Sequence, residues 1–600
     1  MSDFKYKGYG GKIAWINLST KKVENKLLTN EFAKTFIGGT GFATKILTET
    51  LNPKIDAFSP NNIITFMIGP LTGTIAPMTG RHFIASKSPL TNAWGQSDAG
   101  GFWGAEMKFA GFDGVVLTGA SETPIYLFVA NDKIDVLDAK SIWGLDTYET
   151  ENELKQVHGK KTKVLSIGQA GENLVKIASI INDNGRAAGR RGLGAIMGSK
   201  KVKAIAIVGD EIPEVFDLDE LKALRKELTD LLLSSSGGKM LQKYGTGGGM
   251  DFLLEIGDLP LKNWLGAPWD AEKALRLGSQ KFFEKGYFVK HMACYSCPIG
   301  CTKAVQIKEG PYQTPEPGKA PEYETLAALG SLSDIDNLEA IIKANDLANR
   351  YGIDTIATGE MIAFLRELHE KGVKIDTQLN LEWGDGNSVI ELVEAIAFKK
   401  DVGKIMADGP KALINKFGQE IAEVGEVKND GIPMHDPRTY LGMGLKYAVT
   451  VYGPDHSRAD AGFLFSGNED LSISKVDNPT PRDVAYAIVQ TENFVEVMET
   501  LVMCLFAYES WAARMPPRYV PRLIKATTGI EITLKELLSL GGKLVDMKKT
   551  FNRKAGLTRK DDYLPKRFKN VPRVHKGKEY TIEIDDYIKE YYKLRMWDEE

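Results

Sequence analysis

Cysteine is scarce in this chain, with four in 600 residues. A disulfide framework uses many more cysteines in a much shorter chain, so none is expected. Long apolar runs are missing as well. The N-terminal MSDFKYKGYGGKIAW has no apolar core of signal-peptide length, and no later stretch approaches the roughly 18 uncharged residues that a spanning helix needs. Charge of either sign is not in excess. A net charge of -3 over so large a surface, with no basic run, gives no field that would draw nucleic acid or an anionic membrane. A soluble, cytoplasmic protein is the expectation.

Apolar residues make up 43% of the chain and charged residues 26%, an ordinary globular composition. Single cores stop growing near roughly 250 to 300 residues, so two or three domains are expected. The first 209 residues alternate β-rich runs with glycine turns: KIAWINLST, NNIITFMIGPLTG, PIYLFVANDKIDVLDA, KVLSIGQAG and KVKAIAIVGD. Asn131-Asp132 sits between two apolar runs and predicts a hairpin. After about Phe216 apolar residues recur three and four apart, as in DLDELKALRKELTDLLL and DNLEAIIKANDLANRYG, which predicts helix. The expected fold class is α+β and multidomain: a β-rich domain over 1–209, then mostly helical domains over 210–425 and 426–600. A seam is expected in the loop region near Val424 to Pro437. One helical pattern runs from Pro481 to the stop at Pro516-Pro517 and carries Cys504 on its later half. No repeat of solenoid period is found.

Three of the four cysteines, Cys294, Cys297 and Cys301, stand in HMACYSCPIGC. Thiolates bind soft metals, and this spacing can fill three corners of a 4Fe-4S cubane if Pro298 and Gly300 supply a tight turn. Cys504 is the candidate for the fourth corner. The alternative is a structural zinc site with four cysteines, although those usually pair two short CxxC knuckles. His291, just before the triplet, has no evident role. A cluster moves one electron at a time, so a second redox centre is expected nearby.

Two segments are dense in glycine, arginine and small residues, Gly69–Phe83 and Asn182–Lys200. Such loops form anion-binding nests, and Arg81, Arg186, Arg190 and Arg191 could clamp phosphate. Equally, they could be glycine turns with surface arginines. GAIMGSK breaks the Gly-Lys-Ser/Thr order of a P-loop, and GLGAIMG misses the dinucleotide fingerprint by one residue and is read as following no strand.

Together these segments resemble the tungsten-dependent aldehyde:ferredoxin oxidoreductase family, along nearly the whole chain: GPLTGT, GGFWGAEMKFAGFDGVVL, SIGQAGENLVKIASIINDNGRAAGR, CYSCPIGC, PEYET, GIDTIATG and NRKAGLTRKDDYLPKRF. The resemblance implies a β-rich base domain that binds the pterin cofactor, with two mostly helical domains above it. The implied cofactors are tungsten held by two pyranopterins, a magnesium ion linking their phosphates, and one 4Fe-4S cluster. Arg81, Asp98, Gly100, Arg186, Ala187, Gly189 and Arg190 fall where the family contacts pterin or magnesium, with Asp98 and Ala187 at the magnesium positions. Asp455, Arg458 and Leu505 also fall on pterin-contacting positions. Glu324 and His456 are implied as the base for water and the donor to the carbonyl.

The chain departs from the family in places. Asp98 replaces the usual Asn. The paired Asp-x-x-Gly-Leu motifs read Asn349 to Asp354 and Glu499 to Cys504 here, so both first acids are altered. The Glu-x-x-His of the interface iron is Lys343-Ala-Asn-Asp346, so an oligomer, if formed, lacks that iron. The implied activity is oxidation of an aldehyde with water to a carboxylic acid, with electrons passed to ferredoxin or a ferredoxin-like subunit. One alternative is the tungsten subunit of an aromatic acyl-CoA reductase, where a cysteine is expected near Glu324 and none stands. Another is a non-catalytic iron-sulfur carrier or scaffold.

Overall fold

The computed structural model describes residues 4–266 and 269–598. The first 209 residues form two six-stranded sheets. In one the order is Lys22–Leu27, Lys12–Asn17, Gly114–Thr118, Ile64–Met67, His82–Lys87, Trp94–Ala99. In the other it is Lys133–Asp138, Ile125–Ala130, Val202–Val208, Lys163–Ser166, Ile180–Asn182, Arg186–Ala188. Numbered within each sheet along the chain, both read 2-1-6-3-4-5. In both, strands 1 and 6 are parallel and every other neighbour is antiparallel. The domain is therefore a topological duplication, and its two edge strands, Trp94–Ala99 and Arg186–Ala188, lie against each other.

Side chains alternate across a strand, and in the first sheet the strands Gly114–Thr118, Ile64–Met67 and His82–Lys87 are buried on both faces. Val115 and Leu117 join Ile64, Phe66, Leu127 and Ile205 in a core shared by the two sheets. Val116, between them, packs instead with Phe42, Leu47 and the later helices. This is why the strands read as continuous apolar runs. Trp103 fills the inter-sheet core, and its indole N–H donates to the Ile205 carbonyl at 3.0 Å. Asn131-Asp132 does close a hairpin between Ile125–Ala130 and Lys133–Asp138, with Asn131 at φ 51°.

The rest is mainly helical, as the 3.6-residue period predicts, with helices at Leu218–Ser234, Leu338–Tyr351, Thr355–Glu370, Gly386–Ala397, Pro481–Leu501 and Leu534–Ala555. Among the described residues no helix is long and apolar enough to cross a membrane. The segment from Val424 to Pro437 contains a small buried hairpin, Glu426–Val427 with Asp430–Gly431. Arg186–Ala188 stands a few residues before GLGAIMG, so a strand does precede that sequence, although its sheet partner is antiparallel.

One expectation about helix length is corrected. The helix from Pro481 opens with a Thr480–Asp483 capping box but ends at Leu501, with Val502 left-handed at φ 54°. Cys504 therefore lies in the loop beyond it. Its N–H donates to the Met78 carbonyl at 2.9 Å, and Gly38 and Gly69 press on the last carbonyls of the helix. Tertiary contact with the first domain overrides a periodicity that would carry the helix further.

That contact can be tested. A Cβ on Gly69 would overlap the backbone carbonyl of Leu501, which cannot swing aside as a side chain could. Gly69→Ala should cost about 1–3 kcal/mol, typical of overpacking, read as a lowered apparent unfolding temperature in calorimetry. Gly249→Ala, where a Cβ meets nothing within 4 Å, should leave that temperature unchanged. Equal behaviour of the two variants would contradict the close approach.

Candidate active site

The cysteine triplet occupies the connection between antiparallel strands Phe288–Met292 and Thr302–Val305. Left-handed Ser296 (φ 51°) and Gly300 (φ 59°) make the turns tight. The loop is bound to the first domain at both ends: Tyr295 N–H donates to Gly101 O at 2.9 Å, and Met78 N–H donates to Ser296 O at 3.0 Å. A Cβ on Gly100 would stand 2.6 Å from the Cys294 sulfur, so this position has room only for glycine. Cys504 arrives on the other side of Met78, its sulfur 4.0 Å from Arg81 Nη1. Burial raises the Cys504 thiol pKa most, and the neighbouring Cys301, Cys297 and Cys294 raise it further against the pull of Arg81. Burial likewise pushes Cys301 up to about 12. The four sulfurs are neighbours. Yet no three His, Cys, Asp or Glu side chains among the described residues converge on a single ion, as a mononuclear zinc site with bonds of about 2.3 Å requires.

Beside the cysteines the two sheet edges meet, with a chain of buried charges. Asp98, on the edge strand Trp94–Ala99, gives Oδ2 to Arg81 and Oδ1 to Arg458 Nη2 at 2.9 Å. Burial opposes its ionisation, but the two guanidinium groups win and hold its carboxyl below the usual range. Arg458 also pairs with Glu499 on the helix Pro481–Leu501. Burial outweighs that pairing and pushes Glu499 up to about 7.

In the equivalent hairpin of the second sheet, Arg186 Nη1 donates to Thr302 Oγ1 at 3.2 Å and Nη2 to Met292 O at 3.1 Å. Ala187 and Gly189 follow it on the surface facing the junction; a Cβ on Gly189 would touch only Ala187, at 3.7 Å. Arg190 donates to Pro454 O at 2.7 Å and to Asp430 at 2.8 Å, with Asp354 at 3.4 Å. Asp354 caps the helix Thr355–Glu370, and burial raises it to about 6. Arg191 is 1% exposed and pairs with Asp430 and with Asp455 at 3.1 Å. Arg186 and Arg191 are thus buried and Arg190 is largely enclosed, its side chain 12% exposed, so they are not surface arginines on glycine turns. Leu505 opens a short 3-10 turn directly after Cys504.

Glu324 stands in the first turn of the helix Tyr323–Leu329. Its Oε2 accepts from Met434 N–H at 2.8 Å. Its Oε1 lies 3.6 Å from His456 Nδ1 and 3.4 Å from His435 Nε2. The far nitrogen of His435 meets Asp258 Oδ2 at 2.5 Å. Burial lowers the pKa of both imidazoles. In His435 the Asp258 carboxylate, its hydrogen bond and Glu324 outweigh burial and raise the value, whereas in His456 burial wins and the value falls. Two histidines 5.7 Å apart between ring centres are held in opposite protonation tendencies.

Sequence reasoning overlooked His435, Asp258 and Asp430. The first and last lie in the Val424 to Pro437 stretch read as a seam, and the signal was the Pro-flanked His-Asp of PMHDPR. His291 is explained as a strand residue in edge contact with Phe288, ring centres 5.1 Å apart. At the expected iron-free interface position, Lys343 donates to Gln313 O at 2.9 Å and Asp346 pairs with Arg350 at 3.0 Å.

Buried polar atoms are normally hydrogen-bonded, yet several here have no protein partner: Glu499 Oε2, Arg458 Nε, Asn349 Nδ2, Asn182 Oδ1, Tyr452 OH, Glu324 Oε1 and His456 Nδ1. They come from both sheets' neighbourhoods and from the helices above, and they suit a large polar group rich in ring nitrogens and phosphate oxygens.

Comparison with known proteins identifies the family and the fold. Residues 13–209 match the family model of the aldehyde ferredoxin oxidoreductase N-terminal domain, and residues 223–600 match that of its domains 2 and 3. The chain is 34% identical over 99% of its length to a tungsten-containing aldehyde ferredoxin oxidoreductase of Pyrococcus furiosus, of which it covers 97%. It is 32% identical over 76% of its length, and 76% of the relative's, to the WOR-like subunit of an aliphatic sulfonate oxidoreductase from the same organism. In fold it superimposes with a TM-score of 0.83 on the active site complex BamBC of benzoyl coenzyme A reductase, at 21% identity, covering 99% of this chain and 95% of that one. The chain belongs to the aldehyde ferredoxin oxidoreductase family of tungsten-containing oxidoreductases.

Proposed function

We propose that this protein oxidises an aldehyde with water to the carboxylic acid and passes two electrons, one at a time, to ferredoxin or a ferredoxin-like subunit. The observation that carries this is Glu324 Oε1, buried without a protein partner between two histidines of opposite protonation tendency. Net conversion of RCHO and water to RCOO⁻ releases three protons and two electrons. When bound, a tungsten bis-pyranopterin would accept the electron pair and a 4Fe-4S cluster would carry electrons out singly.

The chain's own residues would do the rest. Cys294, Cys297, Cys301 and Cys504 would hold the cluster. Arg81, Gly100, Arg186, Gly189, Arg190, Asn349, Asp354, Asp455, Arg458, Glu499 and Leu505 would hold the pterins, and Asp98 with Ala187 would supply hard oxygen ligands to magnesium. Glu324 would take the proton of the attacking water. His456 would orient the aldehyde by hydrogen bonding to its carbonyl oxygen, a role available only while one ring nitrogen carries a proton. The carbonyl of His456 accepts from Lys446 Nζ at 2.7 Å, as does Ala459 O at 2.7 Å, which fixes the loop that carries the imidazole.

Viologen reduction by purified enzyme should proceed with a panel of aldehydes, and not with an aryl-CoA thioester or an alkyl sulfonate. Activity confined to either of those would replace the aldehyde as substrate. Glu324→Gln and His456→Asn should leave metal content unchanged and lower turnover by about a hundredfold or more. Near-normal turnover in both removes them from the mechanism. Cys504→Ala should cost the cluster itself, seen as loss of iron and of the reduced-cubane resonance. Full iron content with an unaltered signal would refute the fourth-ligand assignment.

A further inference from the structure

We propose that His435 and Asp258 form a proton relay that empties Glu324, the pair acting behind the base as positioning residues. This rests on the aldehyde reading for its physiological task, but its geometry stands independently. His435 bridges Asp258 and Glu324: Asp258 Oδ2 is 2.5 Å from His435 Nδ1, and His435 Nε2 is 3.4 Å from Glu324 Oε1. Asp258 is 1% exposed, and its Oδ1 has no protein partner.

The segment bearing His435 is clamped from several sides, which pre-organises the imidazole. Met434 N–H donates to Glu324 Oε2 at 2.8 Å, and Tyr323 OH donates to Met434 O at 2.6 Å. Tyr447 OH donates to Pro433 O at 3.0 Å and to His435 O at 3.2 Å. Asp436 N–H donates to Asp258 O at 2.9 Å, locking the acid's backbone to the histidine's. A histidine needed only for packing would not require its two nitrogens to face two carboxylates.

The proton balance is as follows. The O–H bond of water breaks and a bond to Glu324 Oε1 forms. That bond then breaks as His435 Nε2 takes the proton, which returns Glu324 to the carboxylate. The Nδ1 proton of His435 points at Asp258 throughout, the imidazolium charge rests between the two carboxylates, and the imidazole, whose side chain is 16% exposed, then releases the Nε2 proton to water. No electron moves in these steps. The gap of 3.4 Å is longer than a typical hydrogen bond, as pre-catalytic contacts often are, and the relay requires it to shorten in turnover. The charged or titratable groups facing His435 are Asp258, Glu324, His456, Lys446, Tyr323 and Tyr440.

Two measurements test the relay separately from the aldehyde reading. In the loaded enzyme, Asp258→Asn and His435→Ala should keep their metals and lower kcat about tenfold to a hundredfold, with KM for the aldehyde little changed. The solvent deuterium isotope effect on kcat should grow, and added imidazole should restore part of the rate to His435→Ala. In protein with 15N-labelled histidine, His435 should show a strongly deshielded Nδ1 proton that Asp258→Asn abolishes. Glu324→Gln should keep that proton but lower the pKa of the ring. Turnover within twofold of wild type in both relay variants, with an unchanged isotope effect, would overturn the relay. So would an ordinary Nδ1 resonance that Asp258→Asn leaves in place, even if no aldehyde were oxidised at all. Failure of every aldehyde with the deshielded proton present would instead sink the substrate assignment alone and leave the relay standing.

Discussion

The interaction on which the site depends is the largely buried pairing of Asp98 with Arg81 and Arg458. An unpaired buried charge is costly enough that it is rarely tolerated. Here one carboxylate satisfies two guanidinium groups, one 17 and the other 360 residues away in the chain, and that pairing fixes three elements at once. Arg81 is held beside the sulfur of Cys504, 4.0 Å away. Arg458 sets the Asp455–Arg458 loop, and through it His456 near Glu324. Glu499 is drawn in on the helix above.

Duplication explains why the site lies where it does. The two sheets share one strand order and one pattern of directions, so their fourth-to-fifth strand hairpins are equivalent, and the equivalents meet. Asp98 and Gly100 on one edge correspond in place to Ala187 and Gly189 on the other. A cofactor with two similar halves has matching walls to lie against. The duplication leaves no sequence repeat of comparable clarity, because strand order is set by burial pattern and turn chemistry, which many sequences satisfy.

Much of this was legible beforehand. The Asn131-Asp132 turn, the change to period 3.6 after Phe216, and the cysteine triplet with its glycine turn follow local rules, and local rules held. Where long-range contact decided the outcome, the sequence was silent or misleading. The end of the helix at Leu501 is dictated by Gly69 and by Met78 claiming the Cys504 N–H. The enclosure of Arg190 and the burial of Arg191 follow from Asp430, some 240 residues away in the chain. His435 and Asp258, 177 residues apart, carry no spacing signature; only PMHDPR hinted at them, within a stretch whose turn residues suggested a linker.

The site is therefore a seam between a duplicated base and the helices above it, held by charge pairing and opened to chemistry by one carboxylate between two unlike histidines. The central claim is that this seam holds both a two-electron metal centre and a cubane. Metal analysis of protein purified without air tests it most directly. The account predicts tungsten, or molybdenum in its place, together with about four irons per chain; iron alone, with neither heavier metal in protein grown with both supplied, would contradict it.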